Sequence, residues 1–266
     1  MDFSLNTILL AFLLTLLAGL ATGIGSIITL RKHKLNTQFL SFILGFSAGV
    51  MIYVSFVELF FVAKESLVKI YSISTANIIV TASFFCGILI TALIDKIIPN
   101  DKNPHEINEV NKNELKNKNL LRTGVVTAFA LALHNFPEGF ATFASALKDP
   151  NLGISVAVAV AIHNIPEGIA VAVPIFYATN NRNKAFTYSF LSGLAEPLGA
   201  IVGFLFLMPF MNDTIFAIVF AGVAGMMVFV SLDELLPTAE KYGKHHYSIY
   251  GLVTGMFIMA LSLIIV

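Results

Sequence analysis

Charge is scarce in this chain. Asp, Glu, Lys and Arg make up 12% of its 266 residues, against roughly 25% in soluble domains. With 57% of residues hydrophobic, a soluble fold of this size could not cover its surface, so a lipid-facing exterior is the economical reading. A surplus of either sign is missing too. Sixteen Lys and Arg balance sixteen Asp and Glu, which argues against nucleic acid as a partner. Cysteine is nearly absent: Cys86 stands alone, which excludes an intramolecular disulfide. Lying in an apolar segment, it is expected as a small buried residue. A basic stretch before the first apolar run is also missing. That run, about residues 5–30, is longer than the core of a cleavable signal and is read as a membrane helix.

What is present is a series of apolar runs at about residues 5–30, 37–63, 74–98, 122–147, 152–178, 184–207, 214–238 and 247–266. Each meets the need for about 20 residues to span hydrocarbon. The breaks carry turn and polar residues, such as Lys148-Asp149-Pro150-Asn151 and Asn180-Asn181-Arg182-Asn183. The expected fold is therefore an all-α polytopic membrane protein of eight transmembrane helices, a single domain over residues 1–266. The stretch 99–121, rich in Asn, Lys and Glu, is expected to be a flexible cytoplasmic loop. With eight crossings, 13 of the 16 basic residues fall on one side and Lys64, Lys69 and Lys148 on the other. Basic loops stay inside, so both termini are expected outside and the long loop in the cytoplasm.

The chain repeats itself. AFALALHNFPEGFA at 128–141 returns as AVAVAIHNIPEGIA at 157–170, an offset of 29. GLATGIG at 19–25 resembles GLAEPLG at 193–199, and AGVMIYVSFVEL at 48–59 resembles AGMMVFVSLDEL at 224–235. These pairings match helices 1–3 against 6–8 and helix 4 against helix 5. Each pair is separated by an odd number of crossings, so its members run in opposite directions. Inverted repeats of this kind mark secondary transporters with a site near the bilayer midplane.

The chemistry sits at that depth. His134, Glu138, His163, Glu167 and Glu196 each lie deep within their runs. An ionisable group at the bilayer centre costs on the order of 2.5–3.5 kcal/mol on the lenient scale. Five at one level need a compensating partner, and a bound cation is the simplest. His134 and Glu138 are four apart and share a helix face, as do His163 and Glu167. Two such faces packed together present two imidazoles and two carboxylates, a set suited to Zn²⁺ and tolerable for Fe²⁺, Mn²⁺, Co²⁺ or Cd²⁺. Pro137 and Pro166 release the carbonyls four residues back and leave polar backbone at the site. The competing reading is a membrane-embedded metal-dependent hydrolase. Its usual H-E-x-x-H motif is absent, and no carboxylate is singled out as a base.

The two H-N-x-P-E-G motifs, S-G-L-A-E-P-L-G at 192–199 and D-E-L-L-P at 233–237 resemble the ZIP family of metal transporters over nearly the whole chain. The resemblance implies eight helices, a homodimer in a bacterial plasma (inner) membrane, and uptake of zinc toward the cytoplasm, with iron among the other metals. It also implies an elevator-like motion of helices 1, 4, 5 and 6 against 2, 3, 7 and 8. The metal is substrate here, and no cofactor is expected. The family's binuclear centre maps onto His134, Glu138, His163 and Glu167 for a first ion. It maps onto Asn135, Glu138, Asn164, Glu167 and Glu196 for a second. Glu58 in helix 2 and its repeat-related Asp233 and Glu234 in helix 7 are placed where they could attract cations at the two mouths, or simply face water. Asp95 is expected at the interface. His33, His105, His245 and His246, with Asp101, Glu106, Glu109 and Glu114, are expected on a solvated cytoplasmic surface.

Overall fold

The computed structural model describes residues 3–31, 37–97, 116–242 and 245–265, and every regular element among them is helical. Eight long helices result. They are α1 Leu5–Arg31, α2 Thr37–Val68, α3 Ile73–Ile97, α4 Lys116–Lys148, α5 Pro150–Thr179, α6 Arg182–Phe206, α7 Asp213–Lys241 and α8 His245–Ile265. Seven are both long and apolar enough to span a bilayer. The exception is α4, which opens on Lys116 and Lys118 and carries His134, Asn135 and Glu138 at its centre. Its 33 residues, at about 1.5 Å each, are ample to cross. Its half from Glu138 to Leu147 is buried among the other helices, while Phe129 and Leu133 remain exposed. The expected loop at 99–121 lies outside the described residues as far as 115. From Lys116 onward it is helix, so α4 starts earlier than hydropathy indicates.

Polar side chains set the helix boundaries. Asp149 caps α5 by accepting from the Asn151 amide, with Pro150 at the first helical position. Asn181 caps α6 through the Lys184 amide, and Asn212 caps α7 through that of Ile215. Asn180 ends α5 in the left-handed region, at φ 49°, a conformation Asn tolerates better than most residues.

Burial orders the helices. In α5, 78% of the apolar window is buried, against 17% in α3 and 22% in α8, so α5 runs through the middle and the other two lie outermost. Cys86 follows from this placement: it sits on peripheral α3 and is exposed, contrary to the expectation of a buried residue. The helices form two bundles. Helices α1, α4, α5 and α6 pack on one another, as do α2, α3, α7 and α8, and the bundles meet where α2 lies on α5 and α4 on α7. This is the partition that the resemblance implies.

Close approaches occur in matched pairs. A Cβ at Gly49 of α2 would strike the Leu252 carbonyl of α8, and one at Gly225 of α7 the Phe84 carbonyl of α3. Gly49 and Gly225 are 176 apart, the offset of the second repeat. The same offset relates two π-helical turns, Ser55–Leu59 in α2 and Ser231–Leu235 in α7. Each opens on a serine that returns its hydroxyl four residues back, to the Met51 and Met227 carbonyls, both at 2.7 Å.

Candidate metal centre

All seven side chains singled out in the sequence are buried, and His163, Asn135, Asn164, Glu167 and Glu196 are fully so. They come from α4, α5 and α6 of one bundle. Backbone contact holds these helices together. A Cβ at Gly139 would strike the Glu196 carbonyl, and one at Gly168 the Thr22 carbonyl. Only glycine lets α4 and α6 approach this closely, and that approach brings Glu196 beside the α4 motif.

Glu138 stands between the two imidazoles. Its Oε1 is 3.0 Å from His163 Nε2 on α5, and its Oε2 is 3.5 Å from His134 Nε2 one turn away. Glu167 and Glu196 lie within Coulombic reach of Glu138. The two asparagines are held alike. Asn135 donates to the Ser192 carbonyl at 3.3 Å, and Asn164 to the Ala18 carbonyl at 2.8 Å and to Glu196 Oε1. The partners Ala18 and Ser192 are themselves 174 apart, the offset that relates helix 1 to helix 6. Because a carbonyl can only accept, each amide must present its NH₂ there. This leaves Asn135 Oδ1 and Asn164 Oδ1 without hydrogen-bond partners, along with both oxygens of Glu167 and Oε2 of Glu196. Buried oxygens normally find partners, so these five are exceptions. Among the described residues, no group of three or more His, Cys, Asp or Glu side chains is arranged as it stands to hold a metal ion. Instead, Glu138 pairs with both imidazoles.

The backbone of His163 is fixed from the other bundle, since Ser47 of α2 donates to its carbonyl at 3.2 Å. The helices run unbroken through Pro137 and Pro166. On one side of His134, a cavity of about 20 Å³ is lined by Thr91 and Asp95 of α3 and by Glu234 of α7. Glu234 is therefore not a water-facing interfacial carboxylate: it is buried at the seam, while Glu58 and Asp233 are only half-buried. His245 pairs with Glu240 at 2.7 Å on an exposed surface. His33, His105, Asp101, Glu106, Glu109 and Glu114 lie outside the described residues.

Comparison with known proteins places the chain in a family. The model of the family described as "ZIP Zinc transporter" matches residues 98–263. Proteins named zinc transporter ZupT are similar over almost their full length. That of Clostridium perfringens is 57% identical over 98% of each chain, and that of Streptococcus mutans 56% over 96% of this chain and 97% of its own. That of Lysinibacillus sphaericus is 59% identical over 98% of each. The family's members are transporters and not enzymes, which sets the hydrolase reading aside. With its membrane-spanning helices, its duplicated H-N-x-P-E-G motif and these relatives, the chain belongs to the ZIP family of zinc transporters.

Proposed function

We propose that this chain takes up Zn²⁺ toward the cytoplasm through the buried set His134, Asn135, Glu138, His163, Asn164, Glu167 and Glu196. The observation that carries the reading is the convergence of these residues from three helices, with five oxygens that have no hydrogen-bond partner. The relatives are named as zinc transporters, and nitrogen with oxygen donors suits zinc. The same donors accept Fe²⁺, Mn²⁺, Co²⁺ and Cd²⁺, so the selectivity is one of degree. Glu138, Glu167 and Glu196 carry three negative charges when ionised. One bound ion leaves −1, and two leave +1. Both occupancies lie close to neutral, which suits a site in low dielectric.

The reading extends to orientation. The basic residues favour the cytoplasm for the ends of α1, α3, α5 and α7, so the cavity at Asp95 and Glu234 lies on the exit side and Lys148 on the outer side. Both termini are then outside the plasma membrane. Carboxylates beside the exit attract the departing ion.

The test is radiolabelled zinc uptake by intact cells that lack other zinc importers. His134→Ala, His163→Ala and Glu138→Ala should each reduce uptake by roughly tenfold or more, since even residues that only support metal ligands cost that much. Membrane levels of the protein should hold. Undiminished uptake by Glu138→Ala would remove the site, because this carboxylate is assigned to both ions.

A further inference from the structure

Backbone contact ties α2 into one bundle and α5 into the other. A Cβ at Gly45 or Gly49 of α2 would strike the Ser248 or Leu252 carbonyl of α8. One at Gly25 of α1 would strike the Ile165 carbonyl of α5, and one at Gly168 of α5 the Thr22 carbonyl of α1. Ser47 stands midway between Gly45 and Gly49, on the side of α2 turned away from α8. Its hydroxyl crosses the seam and donates to the His163 carbonyl of α5 at 3.2 Å. Both residues are fully buried, so bulk water does not compete for the bond.

Other helical serines behave differently. Ser55, Ser145 and Ser231 return their hydroxyls to the carbonyl four residues back, each at 2.7 Å. Ser47 has the Ile43 carbonyl at that spacing and turns to the neighbouring helix instead. A change of one side-chain rotamer exchanges the two acceptors. The hydroxyl therefore keeps a partner when the bundles part, and the cost of an unpaired buried donor is avoided. The repeat offers no counterpart: at the offset of 176 stands Val223 of α7, which has no hydrogen to donate. The seam beside the bond is otherwise largely apolar. One turn before His163, Ala159 of α5 meets Val54 and Leu59 of α2 and Val223 and Met227 of α7 around a void of about 10 Å³. Apolar contact is non-directional, so the hydrogen bond is what fixes where α5 stands along α2.

We propose that Ser47 is a switchable latch between the bundles. Bonded to His163, it holds the seam closed beside the proposed metal centre. Turned back to Ile43, it frees the bundle that carries the proposed ligands. The inference rests on the transport reading above and adds to it a residue that governs motion of the site.

The experiment measures how fast buried cysteines react with a small water-soluble maleimide in the purified protein. In a Cys86→Ser background, Ala159→Cys reports the seam. Ala146→Cys reports the inside of one bundle, where Ala146 is fully buried against Gly153. Ser47→Ala should speed the reaction at position 159 by roughly two- to tenfold, the worth of one net hydrogen bond, and leave position 146 unchanged. Ser47→Thr keeps the hydroxyl and should restore the slow rate. An unchanged rate at position 159 overturns the proposal. Equal acceleration at both positions, or no recovery with threonine, shows a general loosening of the packing and overturns it as well. The parent reading is judged separately, by zinc uptake of Glu138→Ala in cells: full uptake there overturns the transport site whatever the labelling shows.

Discussion

Glu196 enters the centre from one side only. Its repeat counterpart on α1 is Thr22, which is buried but carries no carboxylate. Asn164 holds Glu196 by donating to Oε1 and leaves Oε2 unpartnered. The pair of motifs is therefore joined from α6 by one further carboxylate, held by Asn164 and within Coulombic reach of Glu138. Glu196→Gln keeps the side chain's size and removes its charge. Transport should survive in part, with a changed order among Zn²⁺, Cd²⁺, Fe²⁺ and Mn²⁺. Ligands must lose their protons to bind metal, so removing one such group should flatten the pH dependence of uptake. Uptake of the four ions between about pH 5.5 and 7.5 reads both effects, and identical profiles and rankings would show that Glu196 is no ligand. The burial of the seven residues proposed as ligands was legible in the sequence because ionisable groups at the midplane are costly and duplicated motifs are specific. The Asn135 and Asn164 bonds to backbone carbonyls were not, because a carbonyl acceptor has no sequence signature.

Helix against helix, glycine decides how close backbones come. Lipid is as apolar as the side chains, so association depends on packing and close contact. Gly49 of α2 lies against the Leu252 carbonyl with no room for a methyl group. Gly222 of α7 has only ordinary contact around the same position, with the Ser83 oxygen 3.8 Å away. Gly49→Ala should therefore lower stability by about 1–3 kcal/mol through overpacking. Gly222→Ala should be neutral, or stabilise by up to about 1 kcal/mol through helix propensity. Unfolding temperatures of the two variants in one detergent make the comparison, and equal shifts would contradict it. The helices themselves were readable, because apolar runs broken by Asn, Asp and Pro set their ends. The start of α4 was misplaced because its first turns are polar: Lys116, Asn117, Lys118 and Asn119 look like loop in a hydropathy profile. The π-helical turns at Ser55–Leu59 and Ser231–Leu235 arise from one extra residue per turn, a matter of backbone geometry that residue type does not announce.

The described helices form two bundles joined along a seam, and all seven side chains proposed as metal ligands sit in the bundle of α1, α4, α5 and α6. A centre carried by one body can reach either membrane face if that body shifts against the other, and the structure shows what such a shift must break. Lys148 ends α4, and its Nζ lies 3.2 Å from Asp213 Oδ1 of α7, 3.0 Å from Ser66 Oγ of α2 and 4.0 Å from the centre of the Phe216 ring of α7. It fastens the site-bearing bundle to two helices of the other at one face. The pair is partly exposed, so the bond is weak enough to open on every cycle. If transport needs the bundles to slide, a covalent link at this point must stop it. With Cys86 replaced by serine, cysteines at positions 148 and 213 can be joined by a short, reducible thiol-to-thiol cross-linker. Zinc uptake should stop on linking and return on reduction, while each single-cysteine protein should respond to neither treatment. Uptake that continues at full rate in the linked protein would show that the ion crosses a fixed frame, and the two-bundle motion would have to be abandoned.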